Sequence, residues 1–208
     1  MKKFMDTYNV SRETFELLKA YEASLVEWQK KFNLVSNSSL EDSWTRHFED
    51  SAQLFQYLPD SAQTMLDFGS GAGFPGMVLA IMAAEKTPYL KVKLIESTGK
   101  KTLYLNEVKK ITGVDVEIIN DRIEKLPPQK ADVITSRAMA SLNELLEYTF
   151  RFTTPKTICI FPKGRRYAEE IEEAKKHWKF DCQLHDSITS DEGKILVISR
   201  LLKNKGDK

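Results

Sequence analysis

From Thr64 onward, short apolar runs of strand length alternate with segments of helical period. That alternation restricts the chain to a mainly parallel sheet with helices on both faces. The strand candidates are Thr64 to Phe68, Val92 to Glu96, Val116 to Asn120, Ala131 to Thr135 and Thr157 to Phe161. Between them, helices are expected near Gly76 to Ala84, Lys100 to Ile111, Leu142 to Phe152 and Tyr167 to Trp178. Strands joined in this way need right-handed crossovers, and ligands of such sheets bind beyond the carboxyl ends of the strands. The rhythm changes at the end. Phe180 to Ile188 and Lys194 to Leu202 both read as strands, and Thr189 to Gly193 is too short to hold a helix, so this pair must be antiparallel.

The first part of the chain has a different period. Phe15, Leu18, Tyr21, Leu25, Trp28 and Phe32 recur at three- and four-residue steps, which reads as one amphipathic helix packing on the α/β part of the chain. Asn33 to Ser39 is polar and interrupts the pattern, which Trp44, Phe48, Leu54 and Phe55 resume before Pro59. The expected organisation is a helical extension over 1–60, one α/β domain over 61–203 and a polar tail over 204–208.

Length and composition are consistent with one catalytic unit. A chain of 208 residues with 41% apolar and 29% charged residues is ordinary for a globular protein. No apolar run reaches membrane-spanning length, and no secretory signal follows Met1, so the cytoplasm is the expected compartment. Cys159 and Cys182 fall in strand-like stretches and read as free thiols. With His47, His177 and His185 they give no metal-ligand spacing, so no metal is expected. A formal net charge of +1 requires any nucleic-acid partner to be held by a local basic face.

The richest segment is Met65-Leu66-Asp67-Phe68-Gly69-Ser70-Gly71-Ala72-Gly73-Phe74-Pro75-Gly76, between the first strand and the first crossover helix. Glycines there permit positive φ and close ligand approach. Two fingerprints overlap. Gly69, Gly71 and Gly73 form the alternating pattern of S-adenosylmethionine sites, while Gly71, Gly73 and Gly76 satisfy the dinucleotide pattern. Glu96 ends the next strand, where either cofactor class places a carboxylate on ribose hydroxyls. Asp67 before the loop, the bulky Phe74-Pro75 and the closing antiparallel pair favour S-adenosylmethionine, and Asp67, Gly69, Gly71, Gly73, Phe74 and Glu96 are the candidate contacts to it. The architecture expected is an α/β, Rossmann-like, seven-stranded methyltransferase fold.

Phe32-Asn33-Leu34, Arg46-His47-Phe48-Glu49-Asp50-Ser51, Asp67 to Gly76, Gly99-Lys100-Lys101 and Thr135-Ser136-Arg137-Ala138 occur in an order that resembles the bacterial glucose-inhibited division protein B family. The resemblance implies an S-adenosylmethionine-dependent enzyme that methylates a guanine of 16S ribosomal RNA at N7. It further implies that Gly69 and Phe74 line the cofactor pocket, that Ile123 and Glu124 flank the adenine, and that Arg137 stands where cofactor and substrate meet. Glu96 departs from the Asp common in the family. The segment Phe161 to Arg166 matches more loosely.

The residue types suit that chemistry. Guanine N7 is a free lone pair, so its methylation needs proximity and orientation more than a general base. After the fourth strand stands Thr135-Ser136-Arg137-Ala138-Met139-Ala140, with neither the proline-rich segment of exocyclic-amine methylation nor the cysteine of pyrimidine C5 methylation. Arg137 is the candidate catalytic residue, holding guanine O6 or a phosphate. Candidate RNA contacts are Arg46, His47, Lys100, Lys101, Lys163, Arg165 and Arg166, each of which also reads as part of a solvated charged face. The expected partner is 16S ribosomal RNA or the small-subunit particle, bound by a monomer. Two other functions fit the same residues: a nicotinamide-dependent oxidoreductase, and a ribosome-binding factor without chemistry.

Overall fold

The computed structural model describes residues 2–204. Ahead of the sheet come α1 (Lys2–Tyr8), α2 (Arg12–Gln29), α3 (Asn37–Leu40) and α4 (Asp50–Ala52), with a π-helical stretch at Trp44–Glu49 and a 3-10 turn at Gln53–Tyr57 flanking α4. The sequence pattern anticipates α2 but not α1, whose one buried anchor, Phe4, packs at an angle against the rings of Tyr8, Phe15 and Trp44. Ser11 caps α2, accepting from the Thr14 amide at 3.1 Å. The Ser11 amide donates to Glu85 at 3.0 Å, which ties the start of α2 to the far end of the first crossover helix.

The alternating part follows in the expected order: β1 (Thr64–Phe68), α5 (Gly76–Lys86), β2 (Lys91–Ile95), α6 (Gly99–Thr112), β3 (Val116–Ile119), β4 (Val133–Ser136), α7 (Leu142–Phe150), β5 (Ile158–Lys163), α8 (Tyr167–Lys175), β6 (Trp178–Asp186) and β7 (Lys194–Lys203). Element ends shift by at most three residues from the sequence expectation, most at α8, where Trp178 begins β6 instead of ending the helix. The strands form one sheet in the order β3-β2-β1-β4-β5-β7-β6. The first five are parallel, and β7 inserts antiparallel between β5 and β6. Because Lys163 at the end of β5 pairs with Lys194 at the start of β7, the β6–β7 loop lies on the same carboxyl rim as the glycine loop.

The pleat divides the core into two layers. Met65, Leu94, Val133 and Ile160 face α2, α5 and α6, while Leu66, Phe68, Ile134 and Phe161 face α7 and α8. The N-terminal helices belong to the first layer. Phe15, Leu18, Tyr21 and Leu25 of α2 are buried there, each worth about 1.5–3 kcal/mol of transfer free energy. Tyr21 is the centre of that contact. It is fully buried, stacks on Phe74 at 5.3 Å, meets Phe48 edge-on at 5.1 Å, and its hydroxyl donates to the Ala72 carbonyl in the glycine loop.

Cys159 is buried in β5 and Cys182 half-buried in β6, both free. Among the described residues no helix is long and apolar enough to cross a membrane, and no three His, Cys, Asp or Glu side chains cluster as for a metal ion. Asn204, expected in the tail, donates to the carbonyls of Lys175 and Lys176 at 3.1 and 3.0 Å. The rest of that tail, 205–208, lies outside the described residues.

The two-part organisation can be tested at Tyr21. Tyr21→Ala should lower global stability by about 3–5 kcal/mol, the cost of deleting a buried aromatic ring, with one cooperative urea transition. A loss below about 1 kcal/mol would mean that the N-terminal helices are a separable arm.

Candidate active site

The loop after β1 carries three positive-φ glycines, each for a different reason. Gly71 (φ +58°) faces open space: a Cβ built there would have as its nearest neighbour the Gly69 carbonyl oxygen, at 3.8 Å. Gly69 (φ +63°) lies under Met139, whose Sδ would be 2.7 Å from a Cβ. Gly73 (φ +100°) is pressed against α2 and α6, where a Cβ would collide with the Tyr21 hydroxyl and stand 3.1 Å from Leu105. Gly76 opens α5 against β1, with room for no Cβ beside Asp67 at 2.6 Å. Gly73 and Gly76 thus serve packing, which removes two of the three glycines that the dinucleotide reading needs at a pyrophosphate.

Glu96 closes the loop from β2. One carboxylate oxygen accepts from the Gly71 amide at 2.8 Å and the other from the Thr98 amide at 2.7 Å. Each keeps a lone pair for a further donor. Around these groups is a cleft of about 560 Å³, lined by Gly69, Gly71, Phe74, Glu96, Ile123, Glu124 and Arg137 among others. Those seven were expected at the cofactor. Asp67 and Gly73 were expected there too, but the structure places both behind the loop. Asp67 is fully buried and accepts from Thr135 Oγ1 at 2.7 Å, across the β1–β4 register. Burial pushes its carboxyl up to about 6, against the pull of that hydrogen bond.

Leu34, Val35, Asp121, Met139 and Tyr148 also line the cleft and were missed as site residues. Leu34 had a signal, since it ends the Phe32-Asn33-Leu34 motif. Met139 and Tyr148 had none, because they reach the cleft only through the β4–α7 crossover.

A second cleft, of about 770 Å³, adjoins the first and shares Val35 and the segment Arg137 to Ala140 with it. Arg137 stands at the junction. Ala138, immediately after it, takes a left-handed φ of +52°, an uncommon conformation for a residue with a Cβ and one that recurs at functional turns. The guanidinium donates to the Arg46 carbonyl, to Asp50 Oδ2 and to His47 Nδ1, each at 2.8 Å, and lies 5.3 Å from the centre of the Phe74 ring. Since an arginine only donates, His47 Nδ1 must accept. Its Nε2–H therefore points to Ser39 Oγ at 3.0 Å. Burial, then the neighbouring Arg137 charge, lowers the His47 pKa to about 4.

The residues expected at RNA fall into two groups. Arg46 and Arg165 are exposed, and their guanidinium groups form no ion pair among the described residues; Arg46 lines the second cleft. Of the others, His47, Lys163 and Arg166 are committed elsewhere. His47 is buried with both ring nitrogens engaged, and so buttresses Arg137 instead of meeting a phosphate. Lys163, with its side chain only 9% exposed, pairs with Glu170 at 2.8 Å and donates to the Ala140 carbonyl at 2.8 Å. Arg166 pairs with Glu169 at 2.9 Å on the surface. Lys100 is exposed over the Phe32 ring, and Lys101 lies on the rim of the first cleft.

The two clefts differ in charge. The first is lined by four carboxylates (Glu96, Asp121, Glu124, Glu144) and three cations (Lys101, Arg122, Arg137), the second by four cations (Arg46, Arg137, Lys163, Lys194) and two carboxylates (Asp50, Glu170). The first favours a cation and the second an anion.

An open, parallel-stranded sheet closed by an antiparallel β7, with a glycine loop and an acidic β2 end at its carboxyl rim, defines the class of S-adenosylmethionine-dependent methyltransferases. Solved structures share the fold: a ribosomal protein L11 methylase from Lactobacillus delbrueckii subsp. bulgaricus (TM-score 0.59, 16% identity, 73% of this chain and 76% of that one) and a SAM-dependent methyltransferase from Aquifex aeolicus (0.57, 18%, 80% and 94%). The family model for rRNA small subunit methyltransferase G matches residues 14–198, and the chain belongs to that family. Its relatives include ribosomal RNA small subunit methyltransferase G of Rhodospirillum centenum, 43% identical over 95% of this chain and 89% of that protein. The Ruegeria sp. (strain TM1040) protein of the same name is 40% identical over 91% and 92%.

Two outcomes test the site. Gly71→Val should reduce S-adenosylmethionine affinity at least tenfold in calorimetry, because the branched side chain enters the cleft. Its left-handed φ should cost about 1–2 kcal/mol of stability. His47 makes stability depend on pH: its folded pKa of about 4 lies below the unfolded 6.5, so the folded state binds fewer protons between those values. Stability present above pH 6.5 is therefore lost as pH falls toward 4, by at most about 3 kcal/mol. His47→Gln, which can still accept from Arg137 and donate to Ser39, should remove that part of the slope in urea melts at about pH 7 and 4.5.

Proposed function

We propose that this protein transfers the methyl group of S-adenosylmethionine to N7 of a guanine in 16S ribosomal RNA, acting as a cytoplasmic monomer on the small ribosomal subunit or its RNA. The observation that carries the reading is the junction of two clefts of unlike charge at one fixed guanidinium. The names of the relatives supply the small-subunit RNA, and the sequence resemblance supplies the guanine and its N7.

When bound, S-adenosylmethionine supplies an electrophilic methyl group on a positively charged sulfur. The residues that would hold it are Gly69, Gly71, Phe74, Glu96, Ile123 and Glu124. Gly71 fits that role because its missing Cβ leaves the cleft open, and Glu96 because its two oxygens keep lone pairs beyond the backbone amides they accept. In the second cleft the ionisable side chains that could act as bases are already engaged. Asp50 binds Arg137, Glu170 binds Lys163, and His47 accepts from Arg137. Such a cleft suits a nucleophile that arrives with its lone pair free, as guanine N7 does. Arg137, held on three acceptors, still has N–H donors for O6 of the base, which orients N7 without covering it. The buried Phe74 ring gives the junction an apolar side, 5.3 Å from the guanidinium.

Incubating the protein with radiolabelled S-adenosylmethionine and small subunits from a strain lacking the enzyme should place label in N7-methylguanine, located by borohydride and aniline strand scission. Label on an exocyclic amine, or none, would overturn the reading. Arg137→Ala should lower the single-turnover rate at least a hundredfold while RNA still binds. Arg46→Ala combined with Arg165→Ala should instead weaken RNA binding and reduce the magnitude of the log-log salt slope by about 0.7 to 0.9 per lost phosphate contact. Equal salt slopes for that double variant and the unaltered protein would make both arginines mere solvated charges.

A further inference from the structure

Gln53 takes no part in the chemistry above, yet it is one of the most deeply buried polar side chains of the N-terminal region, 1% exposed. Its amide faces the β6–β7 loop, more than a hundred residues away in sequence. Gln53 Oε1 accepts from the Ile188 amide at 2.9 Å, while Nε2 lies 3.2 Å from both Ser187 Oγ and Thr189 Oγ1 and 3.0 Å from Asp50 Oδ1. Thr189 Oγ1 in turn donates to Asp50 Oδ1 at 2.6 Å. The other oxygen of that carboxylate binds Arg137. Ser187, Thr189, Ser190 and Gly193 of the loop line the second cleft together with Arg137 and Ala138.

A loop that leads from an edge strand has few partners beyond its own strands, and Ser187 to Gly193 is long enough to sample many conformations. Here it is held from outside, by one buried amide and one carboxylate, and the carboxylate is the one that also orients the guanidinium at the junction. From this we infer that Gln53 is a positioning residue for the RNA substrate: with Asp50 it latches the loop 187–193 as the outer wall of the second cleft and sets that wall in register with Arg137. Carboxylate and amide divide the work. Asp50 fixes the distance between wall and guanidinium, and Gln53 fixes the loop backbone at Ile188. The inference rests on the reading of the second cleft as the RNA cleft. It adds that the recognition of the target base depends on a loop of the C-terminal hairpin held by the N-terminal helices.

Two variants test it, Gln53→Ala in the buried latch and Thr189→Val at the half-exposed end, where only a hydroxyl is lost and folding is not at risk. Each should raise KM for small-subunit RNA about fivefold or more, the size of one lost hydrogen bond, with S-adenosylhomocysteine affinity within about twofold of the unaltered protein. Because both act on one wall, the double variant should be no more than about twofold worse than the poorer single one. Unchanged KM in Thr189→Val overturns the inference. So does a parallel loss of cofactor affinity in both variants, which would mark a general loosening. If the unaltered protein itself fails to methylate small-subunit RNA, the reading of the cleft falls and this inference with it; normal methylation by the unaltered protein and by both variants removes the latch alone.

Discussion

The guanidinium of Arg137 joins parts of the chain that the sheet does not hold together. It leaves the end of β4 through a strained turn at Ala138 and ends on a carbonyl, a carboxylate and an imidazole, all from the segment Arg46 to Asp50. A charge this enclosed is costly unless its donors are met, and removing one partner of such a set leaves the other groups buried and unsatisfied. The π-helical stretch at Trp44–Glu49 supplies two of those partners, with Asp50 next to it at the start of α4, in keeping with the tendency of π segments to occur at functional sites. With the ion pair made, the N-terminal region lines the second cleft through Ser36, Ser39, Arg46, His47 and Asp50 and reaches both clefts at Val35.

The same dependence appears under the glycine loop. Tyr21 of α2 donates to the Ala72 carbonyl and fills the space that a Gly73 side chain would need, so the extension shapes the loop from behind while Glu96 holds it from the front. Of the glycines in Gly69 to Gly76, Gly71 alone is left facing open space. The others allow Met139, Tyr21 and Asp67 to come close. A motif that looks like one cofactor signature therefore combines one open position with three close-packed ones.

Much of this was legible in the residues. The change of hydrophobic period at Thr64, the strand-glycine-helix order and the short link before Lys194 gave the strands, the crossovers and the antiparallel closure. Seven of the nine residues assigned to the cofactor line the first cleft. The failures share a cause. Asp67 and Gly73 have the right residue type in the right motif, but a motif does not reveal which side of a loop faces the ligand. His47 and Lys163 read as free charges because their partners, Arg137 and Glu170, lie on other elements. α1 escaped notice because it has one buried residue and no periodic face.

The sequence by itself determined the class of fold, the rim on which the clefts lie, the glycine loop and the acidic end of β2, because these follow from local period and from backbone conformations that only certain residues adopt. The tertiary structure alone decided which charges are free. An ion pair or a shared carboxylate depends on distances between segments such as 46–50, 137 and 187–193, and those distances are set by strand order and helix packing, which no local pattern encodes.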